Sequence, residues 1–205
     1  MIAIVDACSG NLRSVARALA AAGGDPVITK DPVVVRAADR VVVPGQGAFA
    51  EFMRGLHARG LGDALADAVR SGRPMLGICL GLQVLFDRSS EHGNIAGLGL
   101  VAGTVERLTP NVSSAKVPHI GWNTVARPTG TAAEPLLDGI ADGTAFYFVH
   151  SFAAHPTNAG VIALTTDHGG PVCAAIRQDN LFACQFHPEK SQAAGLRVLA
   201  NFVRA

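Results

Sequence analysis

The chain has no apolar run near the roughly 20 residues that a membrane span requires; its longest, such as Val41-Val42-Val43, are of strand length. No membrane partner is expected. A basic segment ahead of Met1-Ile2-Ala3-Ile4-Val5 and a signal-type cleavage site are both missing, so a cytoplasmic protein is expected. Runs of like charge are missing too, and 17 Lys and Arg nearly balance 16 Asp and Glu. That balance argues against nucleic acid or an acidic membrane surface and toward a small neutral substrate or a protein partner. Four cysteines, Cys8, Cys79, Cys173 and Cys184, form no Cys-x-x-Cys pair, so neither a disulfide framework nor a zinc site is indicated. With no His-x-x-x-His and no His-Asp cluster, no metal and no cofactor is expected. No repeat, linker or low-complexity stretch divides the 205 residues, and 49% apolar composition supplies the core of one domain over 1–205.

What is there alternates between strand and helix. Met1–Asp6 reads as a buried strand, and Ser9-Gly10-Asn11 as a turn into a helix ending near Ala22, with Leu12, Val15, Ala16 and Leu19 on one face. Pro26–Ile28, a short helix Pro32–Ala38, and Asp39–Val43 follow. Helix fills Phe52–Ser71 with a break at Gly60-Leu61-Gly62. Asn94–Val125 changes to short strands, with Val101–Leu108 and Lys116-Val117 as candidates, and reads as a small antiparallel patch. Ala145–Phe152 is a strand, Val161–Thr166 and Val172–Gln178 a hairpin, Leu181–Phe186 a strand and Ala193–Arg204 a closing helix. The fold class is α/β, an open, mainly parallel sheet covered by helices on both faces.

The rest is organised around Arg73–Phe86. A buried strand ends at Gly77-Ile78, Cys79 sits at a tight turn, and a helix is expected from Leu80 to about Arg88. Glycines at i−2 and i+2 match the strand-to-helix elbow that pushes one side chain out of the backbone. A helix start favours the thiolate form of a thiol placed there. An inert cysteine at a Gly-rich turn remains an equal reading of this stretch alone.

Two other strand ends bring chemistry toward that turn. Pro44-Gly45-Gln46-Gly47-Ala48-Phe49-Ala50 imitates a dinucleotide fingerprint, but it follows a later strand than that fingerprint requires. Its alternative use is to supply the N–H of Gln46 or Gly47 to an oxyanion site shared with the Leu80 N–H. Leu181–Phe186 delivers His187-Pro188-Glu189, in which Pro188 makes an extended step between an imidazole and a carboxylate. Thiol, imidazole and carboxylate are the parts of a thiol hydrolase. His57, His92 and His168 read as solvated, His155 precedes a proline in a loop, and His119 and His150 have no acid close by. Trp122, in loop-like Pro118–Asn123, marks either a contact surface or an anchor.

Gly77-Ile78-Cys79-Leu80-Gly81-Leu82-Gln83 together with Gln185-Phe186-His187-Pro188-Glu189 resembles the class I (triad) glutamine amidotransferases. Within that family three further stretches are similar to the glutaminase subunits of imidazole glycerol phosphate synthase in histidine biosynthesis. They are Asp6 with Ser9-Gly10-Asn11-Leu12; Val117 through Asn123; and Tyr147-Phe148-Val149-His150-Ser151 with His187 through Gln192. The resemblance runs from Met1 to the closing helix. It implies a flavodoxin-like fold and hydrolysis of L-glutamine to glutamate and ammonia without a cofactor. The ammonia goes to a separate (β/α)8-barrel cyclase subunit in a heterodimer.

It further implies Cys79 as nucleophile, His187 as base and acid, and Glu189 as orienting carboxylate. Gln83 and Glu91, with the backbone of His150 and Ser151, are implied to bind glutamine. Pro118, His119, Trp122, Tyr147 and Lys190 are implied to face the cyclase or border the ammonia channel. Ala7-Cys8 and Gln46 depart from the family, which often has Tyr-Gly and Val there; the second falls in the oxyanion loop. A glutaminase serving anthranilate, GMP or pyridoxal phosphate synthesis, a nucleotide-binding module using Gly45–Ala50, and a non-catalytic interaction subunit are the alternatives.

Overall fold

Successive side chains of a strand point to opposite faces, and Ile2–Val5 and Arg40–Gly45 are buried along almost their whole length, so each needs cover on two sides. The structure, a computed structural model describing residues 1–8, 11–113, 115–131 and 133–205, provides it. The elements are β1 (Ile2–Val5), α1 (Leu12–Ala21), β2 (Pro26–Thr29), α2 (Pro32–Ala37), β3 (Arg40–Gly45), α3 (Phe49–Ala58), α4 (Leu61–Arg70), β4 (Met75–Cys79), α5 (Leu80–Gln83), β5 (Phe86–Ser89), β6 (Ile95–Ala96), β7 (Val101–Arg107), β8 (His119–Ala126), β9 (Ala145–His150), β10 (Phe152–Pro156), β11 (Ile162–Asp167), β12 (Pro171–Gln178), β13 (Leu181–Cys184) and α6 (Gln192–Arg204). Among the described residues the main sheet runs β2-β1-β3-β4-β13-β12-β11-β8-β9. Its first five strands are parallel and the rest antiparallel.

Ala3, Val5, Val41 and Val43 share a core with Phe52, Leu56, Leu61 and Leu65 of α3 and α4. Ile4, Val42, Leu76 and Ile78 belong to another, with Leu19 of α1 and Val198, Leu199 and Phe202 of α6. The α/β architecture with helices on both faces is therefore the observed one. Register then places the site. Gly45 lies opposite Cys79 across β3 and β4, and Cys184 opposite Ile78 across β13 and β4, so all three chains leave the sheet at the same end.

Several local expectations are corrected. The helix after Cys79 ends at Gln83 rather than near Arg88, because the carbonyls of Val84, Leu85 and Phe86 are taken by the N–H groups of Leu98, Leu100 and Gly99. Phe86–Ser89 instead enters a second sheet, β10-β7-β5-β6, in which β5 and β7 are parallel. The expected antiparallel patch is thus a mixed sheet. Lys116-Val117 forms no strand: Pro118, lacking an N–H, cannot extend the ladder, which starts at His119. Pro118–Asn123 is correspondingly not a loop beyond Pro118, since His119 onward is β8. Ser9 and Gly10 of the expected first turn lie outside the described residues.

Candidate active site

The elbow forms because glycines allow it. Cys79 has φ 55° and ψ −109°, a conformation strained for a residue with a Cβ. A Cβ on Gly81 would lie 1.7 Å from the Val43 carbonyl oxygen, and one on Gly45 would lie 2.8 Å from the Phe52 ring. With hydrogen there instead, β3, β4 and α5 close up beneath the thiol. Cys79 is 7% exposed, its Sγ 3.9 Å from the Val149 carbonyl oxygen. Because α5 is a single turn, the macrodipole of a longer helix is not available to a thiolate here.

His187 is fixed by backbone before its side chain is considered. Its N–H donates to the Tyr147 oxygen at 2.9 Å. The Ser191 hydroxyl donates to the His187 carbonyl at 2.7 Å and accepts from Tyr147 N–H at 3.0 Å. Pro188–Lys190 is a 3-10 turn, not the extended step expected; only His187 itself is extended, as a residue before proline should be. That turn brings Glu189 back under the imidazole. Nδ1 lies 2.9 Å from Glu189 Oε1, which also accepts from Asn11 Nδ2 at 3.3 Å. The carboxylate holds the proton on Nδ1 and leaves Nε2 for proton exchange. Nε2 and Glu189 Oε2 are enclosed without a hydrogen-bond partner among the described residues. Burial pulls the His187 pKa down, but the neighbouring Cys79 sulfur and the Glu189 carboxylate outweigh it and push it up to about 9.

A cleft of about 420 Å³ opens over these groups. Cys79, Leu80, His187, Gln46, Gly47, Gln83, Glu91, His150 and Ser151 line it, with Pro118 and Lys190 at its wall. Glu189 stands behind His187. Gln83 Nε2 is committed to the Phe152 carbonyl and Gln185 Oε1, both at 2.9 Å, so Oε1 is the atom it can offer to a bound molecule. Glu91 Oε2 accepts from Phe49 N–H at 2.7 Å. A carboxylate therefore occupies the first turn of α3, where a nucleotide phosphate would have to sit if Gly45–Ala50 were a dinucleotide fingerprint.

His119, Trp122 and Tyr147 lie outside the cleft. Trp122 is 49% exposed and opposite Tyr147 in the β8–β9 register, with ring centroids 6.2 Å apart. Lys190 Nζ is 5.7 Å from the Tyr147 ring centroid. These three, with Ile120, make an exposed face, and Trp122 is not a buried anchor. His119 is buried, stacked on Phe148 and on His168, and its Nδ1 is 3.0 Å from His150 Nε2. His168, expected to be solvated, is held there by that stacking and by the Lys116 carbonyl.

Sequence reasoning gave no role to Gln185, Asn11 or Ser191. Gln185 carried a signal: a carboxamide within an otherwise apolar strand run, fully buried here. Cys173 and Cys184 are core residues as expected. Burial pushes the Cys173 thiol up to about 12 and the Cys184 thiol well above its ordinary value, leaving both unreactive. No cluster of three or more His, Cys, Asp or Glu suited to a metal occurs among the described residues. Nor is any described helix long and apolar enough to cross a membrane.

Comparison with known proteins places the chain in a family. The family described as glutamine amidotransferase class-I matches residues 3–205. The chain is 46% identical over 208 residues to the imidazole glycerol phosphate synthase subunit HisH of Syntrophotalea carbinolica, covering 98% of each. It is 49% identical over 211 residues to the protein of the same name from Nitrosospira multiformis, covering 99% of this chain and 97% of that one. Among solved structures, a crystal structure of a glutamine amidotransferase superposes with TM-score 0.75 over 100% of this chain and 99% of the other, at 18% identity. That last likeness is one of fold.

Proposed function

The chain belongs to the class I glutamine amidotransferase family, and on that premise we propose that it is the glutaminase subunit of an imidazole glycerol phosphate synthase. It hydrolyses L-glutamine to glutamate and ammonia and passes the ammonia to a cyclase subunit. The observation carrying this reading is the buried His187–Glu189 pair, 2.9 Å apart, with His187 lining the same cleft as the strained Cys79.

The Cys79 thiol gives its proton to His187 Nε2, and its sulfur attacks the side-chain carboxamide carbon of glutamine, forming an S–C bond as the carbonyl electrons move to oxygen. N–H groups of Leu80 and of Gln46 or Gly47 receive that oxyanion, each such donor contributing about 3 kcal/mol. His187 Nε2 delivers a proton to the nitrogen, the C–N bond breaks, and ammonia leaves a thioester on Cys79. Water then attacks the thioester, His187 takes its proton, and glutamate departs as the thiol is restored. Glu189 holds the imidazole through both steps and stabilises its charged form. Gln83 Oε1, the free oxygen of Glu91 and the backbone of His150 and Ser151 position glutamine. The exposed Trp122–Tyr147–Lys190 face, beside Pro118 and His119, receives a (β/α)8-barrel cyclase in a heterodimer in the cytoplasm.

The test is ammonia release from glutamine with and without the cyclase subunit and its ligand. Hydrolysis is expected to rise by orders of magnitude when both are present. Full activity in the isolated chain, or activation by an anthranilate or GMP synthase subunit instead, would overturn the assignment.

A further inference from the structure

We propose that Gln185 is a catalytic residue, a carboxamide donor that holds the Cys79 sulfur as thiolate; the proposal rests on Cys79 being the nucleophile. Gln185 Nε2 lies 3.5 Å from Cys79 Sγ, and the residue is 0% exposed. Its backbone continues the sheet, N–H to the Ala174 oxygen at 2.8 Å, so the side chain leaves the main sheet directly beside the thiol. A polar side chain enclosed to this degree needs partners for both ends of its amide.

Neighbouring groups decide which end faces sulfur. The Phe152 carbonyl can only accept, so the group of Gln83 pointing at it must be the NH2. The second hydrogen of that NH2 goes to Gln185 at 2.9 Å, which therefore presents Oε1 to Gln83. Nε2 is left for Cys79. Turned the other way, Gln185 would set its NH2 against the Gln83 NH2 and its oxygen against the sulfur. His150 Nδ1, 2.9 Å from the same Phe152 oxygen, reinforces the order of bonds. A fixed N–H aimed at an enclosed sulfur stabilises the ion over the neutral thiol. His187 is the titratable group facing the same sulfur, and its charged form acts in the same sense; the Gln185 N–H adds to it where the one-turn α5 provides no long helix.

Such a donor has two opposed effects. It increases the fraction of thiolate at neutral pH and makes each thiolate a weaker nucleophile, with the first the larger where the thiol would otherwise be protonated. A group that merely fills the core has neither effect, and this separates the two roles.

The experiment follows iodoacetamide alkylation of the full chain against pH, read at the Cys79 peptide by mass spectrometry so that Cys8 does not contribute. Gln185→Leu keeps the volume and removes the donor. Its profile is expected to be displaced upward by about one to two pH units, the scale of a hydrogen bond to a charged group. The rate at pH 7 falls about tenfold or more, while the plateau at high pH equals or exceeds that of the unaltered chain. An unmoved profile, or a loss by the same factor at every pH, overturns the proposal. Should Gln185→Leu fail to fold, Gln185→Met, which is close in volume, uncharged and has no donor, decides by the same criteria. Glutamine hydrolysis by Cys79→Ala, measured with the cyclase, is the separate check: activity there removes the functional reading, whereas the titration reads Gln185 without glutamine.

Discussion

His119 Nδ1 and His150 Nε2 lie 3.0 Å apart, one bond joining the β8–β9 pair to the floor of the cleft. Its direction follows from its neighbours. His150 Nδ1–H donates to the Phe152 oxygen, so His150 Nε2 accepts from His119 Nδ1–H, and His119 Nε2 accepts from Asn123 Nδ2 at 3.2 Å. Both rings must be neutral for every member to be satisfied, and a third proton on the pair would break one bond.

Acid should therefore unfold the protein through these two rings. Burial, with smaller contributions from neighbouring histidines, lowers His119 from 6.5 to about 4 and His150 to about 3. The unfolded chain takes up the protons near 6.5 and the folded one resists, so their contribution is full above pH 6.5 and is lost as pH falls toward those values. Urea midpoints are expected to drop between pH 7 and pH 5 by the equivalent of on the order of 4 kcal/mol, about 2 from each ring. The drop is expected to be smaller in His150→Gln.

His187 works in the opposite sense. Its pKa is raised from 6.5 to about 9, so the stability from its charged form beside Glu189 is fully present below 6.5 and disappears as pH rises through about 9. The gap in melting temperature between the unaltered chain and His187→Asn is expected to be widest near pH 6 and to narrow by pH 9.

Cys79→Ala is expected to abolish glutamine-dependent synthesis in the complex with the cyclase while ammonia-dependent synthesis persists. Equal loss of both would remove Cys79 from glutamine hydrolysis.

Gly81→Ala tests the elbow itself. With its Cβ 1.7 Å from the Val43 oxygen, either β3 or α5 must move, at a cost of about 3 kcal/mol or more. Thermal melts are expected to show a large loss of stability, and glutaminase activity is expected to fall with it.

Trp122→Ala is expected to leave the melt of the isolated chain almost unchanged, since half of the side chain is exposed. Titration with the cyclase subunit is expected to show binding weakened by about 2 kcal/mol, roughly 30-fold.

The parallel half of the sheet, its helices on two faces and the convergence of Gly45–Gly47, Cys79 and His187 were legible because they rest on local signals. Buried strands read as apolar runs, glycines mark turns, and strand ends in a parallel sheet share one crevice. The stretch after Gln83 was not. Val84–Phe86 has helical spacing, but its carbonyls are claimed by residues 98–100, a contact that no local window contains. For the same reason β8 read as a loop: its strand character comes from pairing with β9 and β11, elements distant in the chain.

At the site, residue types alone pointed to a thiol, an imidazole and a carboxylate, because each chemistry requires a particular side chain. Tertiary structure alone decided how they are held. It put Glu189 under the ring through a 3-10 turn, shortened the helix at Cys79 to one turn, and set the Gln185 amide against the sulfur. Hydrogen-bond direction and distance depend on residues brought together from different strands, and this is why the sequence named the candidate groups while only the fold showed what holds them in place.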